Sequence, residues 1–199
     1  MTLTQDEGRD LVAYARAVLE ANFGGGKPQI PPSLEAVFQE RLGVFVTLQT
    51  KGELRGCIGF PEPSHPLGYA LEHAALSAAL EDPRFPPVGG DELSDITVEV
   101  SVLTRPELME VADPGEYAKR IRVGCDGLIA ELGWSRGLLL PQVPVEWKWD
   151  AEEFLMQTCN KADLPLTAYM EKGFKLYSFQ AQIFHEERPR GNVVEHRIS

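Results

Sequence analysis

The segment Glu53-Leu54-Arg55-Gly56-Cys57-Ile58-Gly59-Phe60 brings together a soft nucleophile, a permanent cation and two glycines. Residues two apart on an extended strand share a face. Glu53, Arg55, Cys57 and Gly59 are therefore expected on one side, and Leu54, Gly56, Ile58 and Phe60 on a packed side. A cation beside a thiol favours thiolate, lowering the cysteine from its free pKa of about 8.5. A glycine in a strand also marks a place where a ligand can approach. Cys57 and Arg55 are thus candidate catalytic residues, and Gly56 and Gly59 candidate substrate contacts. The competing reading is structural, because free cysteine usually serves as a small buried hydrophobe and Arg55 can pair with Glu53.

A nucleophilic cysteine needs a base, most often histidine. His65, in the loop Pro61–Pro66, is a candidate substrate contact, whereas His73 lies in a helical stretch beside Ala74 and reads as structural. Arg84 and Phe85 sit among Pro83, Pro86 and Pro87, which fix their own φ. The pair suits ligand recognition or a clamp. The four histidines, at 65, 73, 185 and 196, show no metal-ligand spacing, so neither a metal nor another cofactor is expected. Cys159 shares a helix face with Phe154, Leu155 and Ala162 and reads as core, and Cys125 lies in a turn. Trp134, Trp147 and Trp149 read as packing residues. Gly24-Gly25-Gly26 lacks the preceding strand and following GK[ST] of a phosphate loop.

Composition narrows the function classes. The chain has 199 residues, 43% hydrophobic and 25% charged, with a formal net charge of −11. An acidic chain without a basic stripe argues against nucleic acid as partner. No apolar run reaches the roughly 20 residues that span a bilayer, so no membrane association is expected. Three cysteines without CxxC spacing point to a reducing compartment, and a cytoplasmic location is expected.

The elements that must position these residues follow from periodicity. Thr4 with Glu7 forms a capping box opening a helix whose apolar stripe is Leu11, Val12, Ala15, Val18, Leu19 and Phe23. A short helical stretch is expected over Ser33–Arg41, with Ser33 as cap. Val44, Val46 and Leu48 alternate with polar or aromatic neighbours, and Thr50-Lys51-Gly52 supplies a turn, so Val44–Phe60 reads as a β-hairpin. The alanine-rich segment from Leu67 to about Glu81 is a helix able to approach the hairpin closely, and Asp82-Pro83 ends it. Arg84–Pro87 is expected to be extended.

Ile96–Leu103 is a half-buried strand, followed by a helical piece near Pro114–Lys119 and strands at Ile121–Val123, Gly127–Leu132 and Gly137–Leu140. Residues 141–149 form a crossover. Asp150 with Glu153 is a second capping box, for a helix to about Ala162. A last strand runs from Leu176 to about Phe184, with Tyr177, Phe179, Ala181 and Ile183 inward, and the tail from Glu186 is expected to fray. The fold class is α+β, a mostly antiparallel sheet flanked by helices. Two subdomains with a cleft between them are expected: a main one of about 1–106 plus 146–199, and a smaller one of about 107–145.

Leu54-Arg55-Gly56-Cys57-Ile58-Gly59 resembles the signature hexapeptide of the AMMECR family. Ser77–Pro87, Glu92-Leu93 and Val98–Thr104 resemble the family's next blocks in order. Gly124–Ile129 and Gly137–Pro144 resemble its prokaryotic branch. The resemblance covers about 10–185 and implies a single AMMECR-type domain over 1–199, with an α+β fold of two subdomains. It also implies a system with MEMO-like and radical-SAM proteins as partners, the AmmeMemoRadiSam system, but no particular reaction. Cys125 departs from the family pattern and is given no role. Three functions follow: an enzyme or enzyme subunit acting on a small molecule or protein through Cys57 and Arg55 in the cleft; a non-catalytic binding or scaffold module using the cleft and the Arg84-Phe85 loop; and, with no phosphate motif behind it, a nucleotide-binding regulator.

Overall fold

The computed structural model describes residues 2–196 and is α+β, with two antiparallel sheets and flanking helices. The chain divides into two compact units, one of residues 2–103 with 182–196, the other of 104–181. The helix α1 (Gln5–Asn22) begins as expected, Thr4 and Glu7 forming the full capping box. Strands β1 (Gly43–Thr50) and β2 (Glu53–Phe60) make the hairpin, and α2 (Leu67–Leu80) follows. Then come β3 (Ile96–Leu103), β4 (Glu107–Leu108), α3 (Tyr117–Arg120), β5 (Gly127–Leu132) and β6 (Ser135–Leu139). The chain closes with α4 (Gln142–Trp147), α5 (Ala151–Lys161), β7 (Lys175–Phe179), β8 (Ala181–Glu186) and β9 (Val193–His196).

The first unit is built on a five-stranded sheet ordered β2-β1-β3-β8-β9. Val44, Val46 and Leu48 of β1 and Ile96, Val98 and Val100 of β3 are buried with α1 and α2 in one core. The period-two pattern of those strands supplies this face. Gly8 of α1 leaves space for the Phe184 ring, which a Cβ there would meet at 2.2 Å. The same core holds one closed ion pair: the buried Arg16 donates twice to Glu186, each bond 2.5 Å long. Glu186 also accepts from the Val98 N–H at 3.1 Å.

The second unit has a four-stranded sheet ordered β4-β7-β5-β6. Its core gathers Leu128, Ala130, Leu176, Phe154, Leu155 and Cys159. Helix α5 therefore packs in the second unit and not in a main subdomain that includes residues 146–199. Its apolar face fits strands β5 and β6, and Gly137 lets it approach closely, since a Cβ there would meet the Ala162 nitrogen at 2.3 Å.

Several expectations change. The strand expected from Leu176 to Phe184 is two strands in different sheets, separated by Gln180, whose N–H is taken by the Thr104 hydroxyl. Tyr177 is only half-buried, while Leu176 is fully buried. The tail does not fray at Glu186, because β9 pairs with β8. Ile121–Val123 is a loop rather than a strand, and α4 occupies part of the expected crossover. Two 3₁₀ turns, Pro32–Leu34 and Val37–Gln39, take the place of the helical stretch expected over Ser33–Arg41, and the Ser33 hydroxyl donates to Asp10 instead of capping a helix. Trp134 is 104% exposed at the β5–β6 turn and is not a packing residue, whereas Trp147, though exposed, stacks on Trp149, which packs against the second unit's core. No helix among the described residues is long and apolar enough to cross a membrane.

Candidate functional site

Strand β2 lies at the edge of its sheet, where backbone N–H and C=O groups point away from any neighbouring strand. At Cys57 these groups meet side chains. The buried Asp82 accepts from the Cys57 N–H at 2.8 Å, and Arg84 Nη2 donates to the Cys57 carbonyl at 3.3 Å. Asp82 and Arg84 together thus take the place of the missing strand. They also hold each other: Arg84 Nε and Nη2 donate to the two carboxylate oxygens at 2.9 and 2.7 Å.

The approach depends on Gly56. A Cβ at Gly56 would lie 2.0 Å from the Ala78 carbonyl oxygen of α2. Only glycine lets the helix end come this close, and that end carries Asp82 four positions later. Ala74, Ala75, Ala78 and Ala79 are all buried, as the small-residue face predicts. Gly56 therefore has a packing role, with its missing side chain facing α2 and not a ligand.

The even alternation expected along β2 is broken. Leu48 pairs with Gly56 and Gln49 with Leu54, leaving Arg55 as the extra residue of a β-bulge. The bulge turns Leu54 to the side of Gln49 and Cys57, and it is 41% exposed rather than packed. It also aims Arg55 away from Cys57. Arg55 Nε and Nη2 grip Glu92 at 2.9 and 3.0 Å, while Nη1 donates to the Pro86 carbonyl at 2.9 Å. Arg55 therefore fastens the 86–92 loop to the strand and does not pair with Glu53. Its guanidinium, followed by the Gly89 N–H, lowers the Glu92 pKa.

Gly59 does not leave a vacancy. A Cβ there would meet the Val44 carbonyl at 2.4 Å and the Phe45 ring at 2.5 Å, so the ring covers the glycine. The loop after α2 is a turn and not extended, since the Phe85 N–H returns to the Asp82 carbonyl at 3.1 Å. Phe85 is half-buried, with the Arg84 guanidinium carbon 5.5 Å from its ring centroid.

The charges at this corner are fixed by these contacts. Arg84 holds Asp82 well below the ordinary carboxylate range; burial opposes it, and the Cys57 and Arg84 N–H groups add to the lowering. The arginine is raised in turn, first by Asp82 and then by the nearby Cys57. The Arg84 side chain nevertheless stays 52% exposed over an Asp82 side chain that is 2% exposed. Cys57 is half-buried, and its sulfur accepts from the Thr47 hydroxyl at 3.4 Å. The cation beside Cys57 is Arg84, 27 residues further along the chain, and not Arg55.

His65 and His73 stand elsewhere. Phe60, His65, Tyr69 and His73 form a ladder of rings with centroid spacings of 5.7, 4.9 and 4.1 Å. His73 is exposed and its ring rests against Tyr69, one helical turn earlier. Cys159 is buried and its thiol is pushed up to about 11, chiefly by burial. Cys125 is exposed in its turn.

An antiparallel α+β chain with its signature strand locked to a helix end defines the class, and comparison with known proteins gives the family. The sequence profile of the AMMECR1 family matches residues 12–184. A protein of Methanothermobacter thermautotrophicus is 59% identical over 186 residues, covering 93% of this chain and 97% of its own. One from Methanocaldococcus jannaschii is 54% identical over 198 residues, covering 98% of each. The crystal structure of an uncharacterized protein from Pyrococcus horikoshii matches with a TM-score of 0.85 at 47% identity, over 98% of both chains. The chain belongs to the AMMECR1 family.

Proposed function

We propose that this protein is a cytoplasmic subunit of an enzyme system with MEMO-like and radical-SAM partners, and that its working corner is Cys57, Arg84 and Phe85. Arg84 receives an anionic group of a small molecule or protein segment, Phe85 offers an apolar face next to that guanidinium, and the Cys57 thiol stands near Arg84. The observation behind this reading is the half-exposed Arg84 held rigid by a buried Asp82. A guanidinium fixed by its counter-ion loses little further freedom on binding. Arg55 acts through the loop it fastens and not on the ligand.

Two readings divide here. In the catalytic one Cys57 is a nucleophile, supported by its contacts with Thr47 and Arg84. In the other the corner only binds, supported by the identity of those partners, since neither a threonine hydroxyl nor an arginine is a general base. Alkylation followed by mass spectrometry across a pH series separates them. An activated thiol labels at Cys57 faster than an ordinary free thiol near neutral pH and slows in Arg84→Ala; labelling of Cys57 no faster than Cys159 ends the catalytic reading. For binding, capture of the MEMO-like or radical-SAM protein is expected to weaken in Arg84→Ala and Phe85→Ala. Undiminished capture by both variants removes this corner as the contact.

A further inference from the structure

Three ligand-bearing side chains that no sequence spacing connects converge on the first unit's sheet. Glu99 lies on β3, His185 on β8 and His196 on β9, consecutive strands in the sheet order. One carboxylate oxygen and one nitrogen of each imidazole lie within 4.8 Å of one another. Strand register places the histidines: His185 pairs with Val194 and His196 with Ile183, so both rings stand on one face as diagonal neighbours. Their centroids are 5.7 Å apart, edge to face. Phe184, between Ile183 and His185, points into the α1 core, which turns His185 to the opposite face. Glu99 pairs with Thr47, which pairs with Cys57, so the cluster and the thiol share a sheet face, two strand spacings or about 10 Å apart at Glu99.

Two imidazoles and one carboxylate are the protein ligand set of open zinc sites and of other first-row divalent ions. Glu99 and His185 are half-buried and His196 is exposed, giving a recessed floor with one ligand on the solvent side. Independently of that clustering, Nδ1 of His185 is buried and has no hydrogen-bond partner among the described residues. A buried polar atom left so is costly unless something meets it. Ligands at about 2.1 Å around a tetrahedral ion stand about 3.4 Å apart. Rotation of the exposed His196 ring supplies the closure needed.

We propose that Glu99, His185 and His196 form a binding site for one zinc-type divalent transition-metal ion, with coordination positions left open for water or a ligand. The absence of a local HxxH or HxxxH motif explains why the sequence alone predicts no metal: the ligands meet through pairing of β3, β8 and β9. The site stands on residues separate from the Cys57 corner and does not depend on the function proposed there.

The test is titration of the untagged, metal-free full chain with Zn²⁺ against a chromophoric chelator, with Co²⁺ absorption as a second readout. One ion per chain is expected, with a dissociation constant in the micromolar range or tighter. His185→Ala and His196→Ala are each expected to weaken it at least tenfold, as is the near-isosteric Glu99→Gln, whose thermal unfolding checks that the fold persists. Co²⁺ spectra should lose intensity in the same variants. Cys57→Ser and Cys125→Ser should bind as wild type. No binding below millimolar Zn²⁺, unchanged binding in the His185→Ala/His196→Ala double variant, or loss of binding in the cysteine variants each overturns the assignment.

Discussion

The two units repeat one local device with different outcomes. In each, a strand glycine lets a helix approach: Gly56 under the Ala78 carbonyl, and Gly137 under Ala162. In each, a buried aspartate holds an exposed arginine beside a cysteine. Asp82 holds Arg84 near Cys57, and Asp126 holds Arg122, at 2.7 Å, near Cys125. In the second unit these pieces are separate, the glycine on β6 and the aspartate ahead of β5. Asp126 there serves its own turn, accepting from the Arg122 N–H at 2.9 Å and from Gln180 at 3.0 Å. In the first unit glycine and cysteine are adjacent on the edge strand, so the close approach of the helix is what delivers the carboxylate to the thiol residue. The same parts make a turn in one place and a candidate site in the other.

The largest break in this comparison is expected from Gly56→Ala and Gly137→Ala. In both, the added methyl meets backbone and not a movable side chain. Each should lose about 3 kcal/mol of stability, read as a shift in denaturant midpoint at unchanged slope. Only Gly56→Ala should also change the rate of Cys57 alkylation under native conditions. If Gly137→Ala alters that rate equally, the two devices are not separable.

Asp82→Asn and Asp126→Asn should each cost about 2 kcal/mol, because a buried acceptor of charged and backbone donors is weakened. Both carboxylates have lowered folded-state pKa values: Asp82 through Arg84 first, and Asp126 because the Arg122 and Gln180 bonds outweigh a burial that pushes the other way. A lowered folded value contributes stability that is fully present above the unfolded value of 3.8 and is lost progressively as pH falls from there through the lower folded value. The gap between wild type and either variant should therefore narrow from about pH 5 to about pH 3. A gap that is constant or widens over that range contradicts the ionised pairs.

The smallest stability effects are expected from Arg84→Ala and Arg122→Ala, under about 1 kcal/mol each, since both guanidiniums are largely exposed. Their value lies in the contrast of reactivity. Arg84→Ala should slow labelling of the half-buried Cys57 if the thiol is activated, while Cys159, buried and pushed up to about 11, should label only on unfolding. Equal effects on Cys57 from both arginine variants would show that the local cation is not what matters.

Much of the first unit was legible because its signals are local. The Thr4–Glu7 box, the alternation of Val44–Leu48 and Ile96–Val102, and the alanine face of α2 each state their own geometry within a few residues. What was not legible depends on partners distant in sequence. Alternation along β2 assigned Arg55 to Cys57, but one extra residue at a bulge turned it toward Glu92. The space left by Gly59 is filled by Phe45 from the neighbouring strand. Likewise the strand expected through residues 176–184 had continuous apolar periodicity, with nothing at Gln180 to announce that the chain changes sheets. The Asp82–Arg84 bracket had a clearer signal: an aspartate at a helix end, followed by proline and arginine, beside an edge strand in need of partners.

The pairing of Arg16 with Glu186 sets an order of events during synthesis. The two residues are 170 positions apart, and translation at about 5–20 residues per second places about 10–30 s between their appearances. Throughout that interval the first helix, the hairpin and β3 exist without β8 and β9, and the arginine destined for their core has no carboxylate to meet. Until the whole of the second unit has emerged, the nascent first unit offers that guanidinium only the Leu93 and Ile96 carbonyls among its native acceptors. Completion of the fold is thereby tied to the arrival of the last strands, and a ribosome that stops early releases a chain whose sheet cannot close.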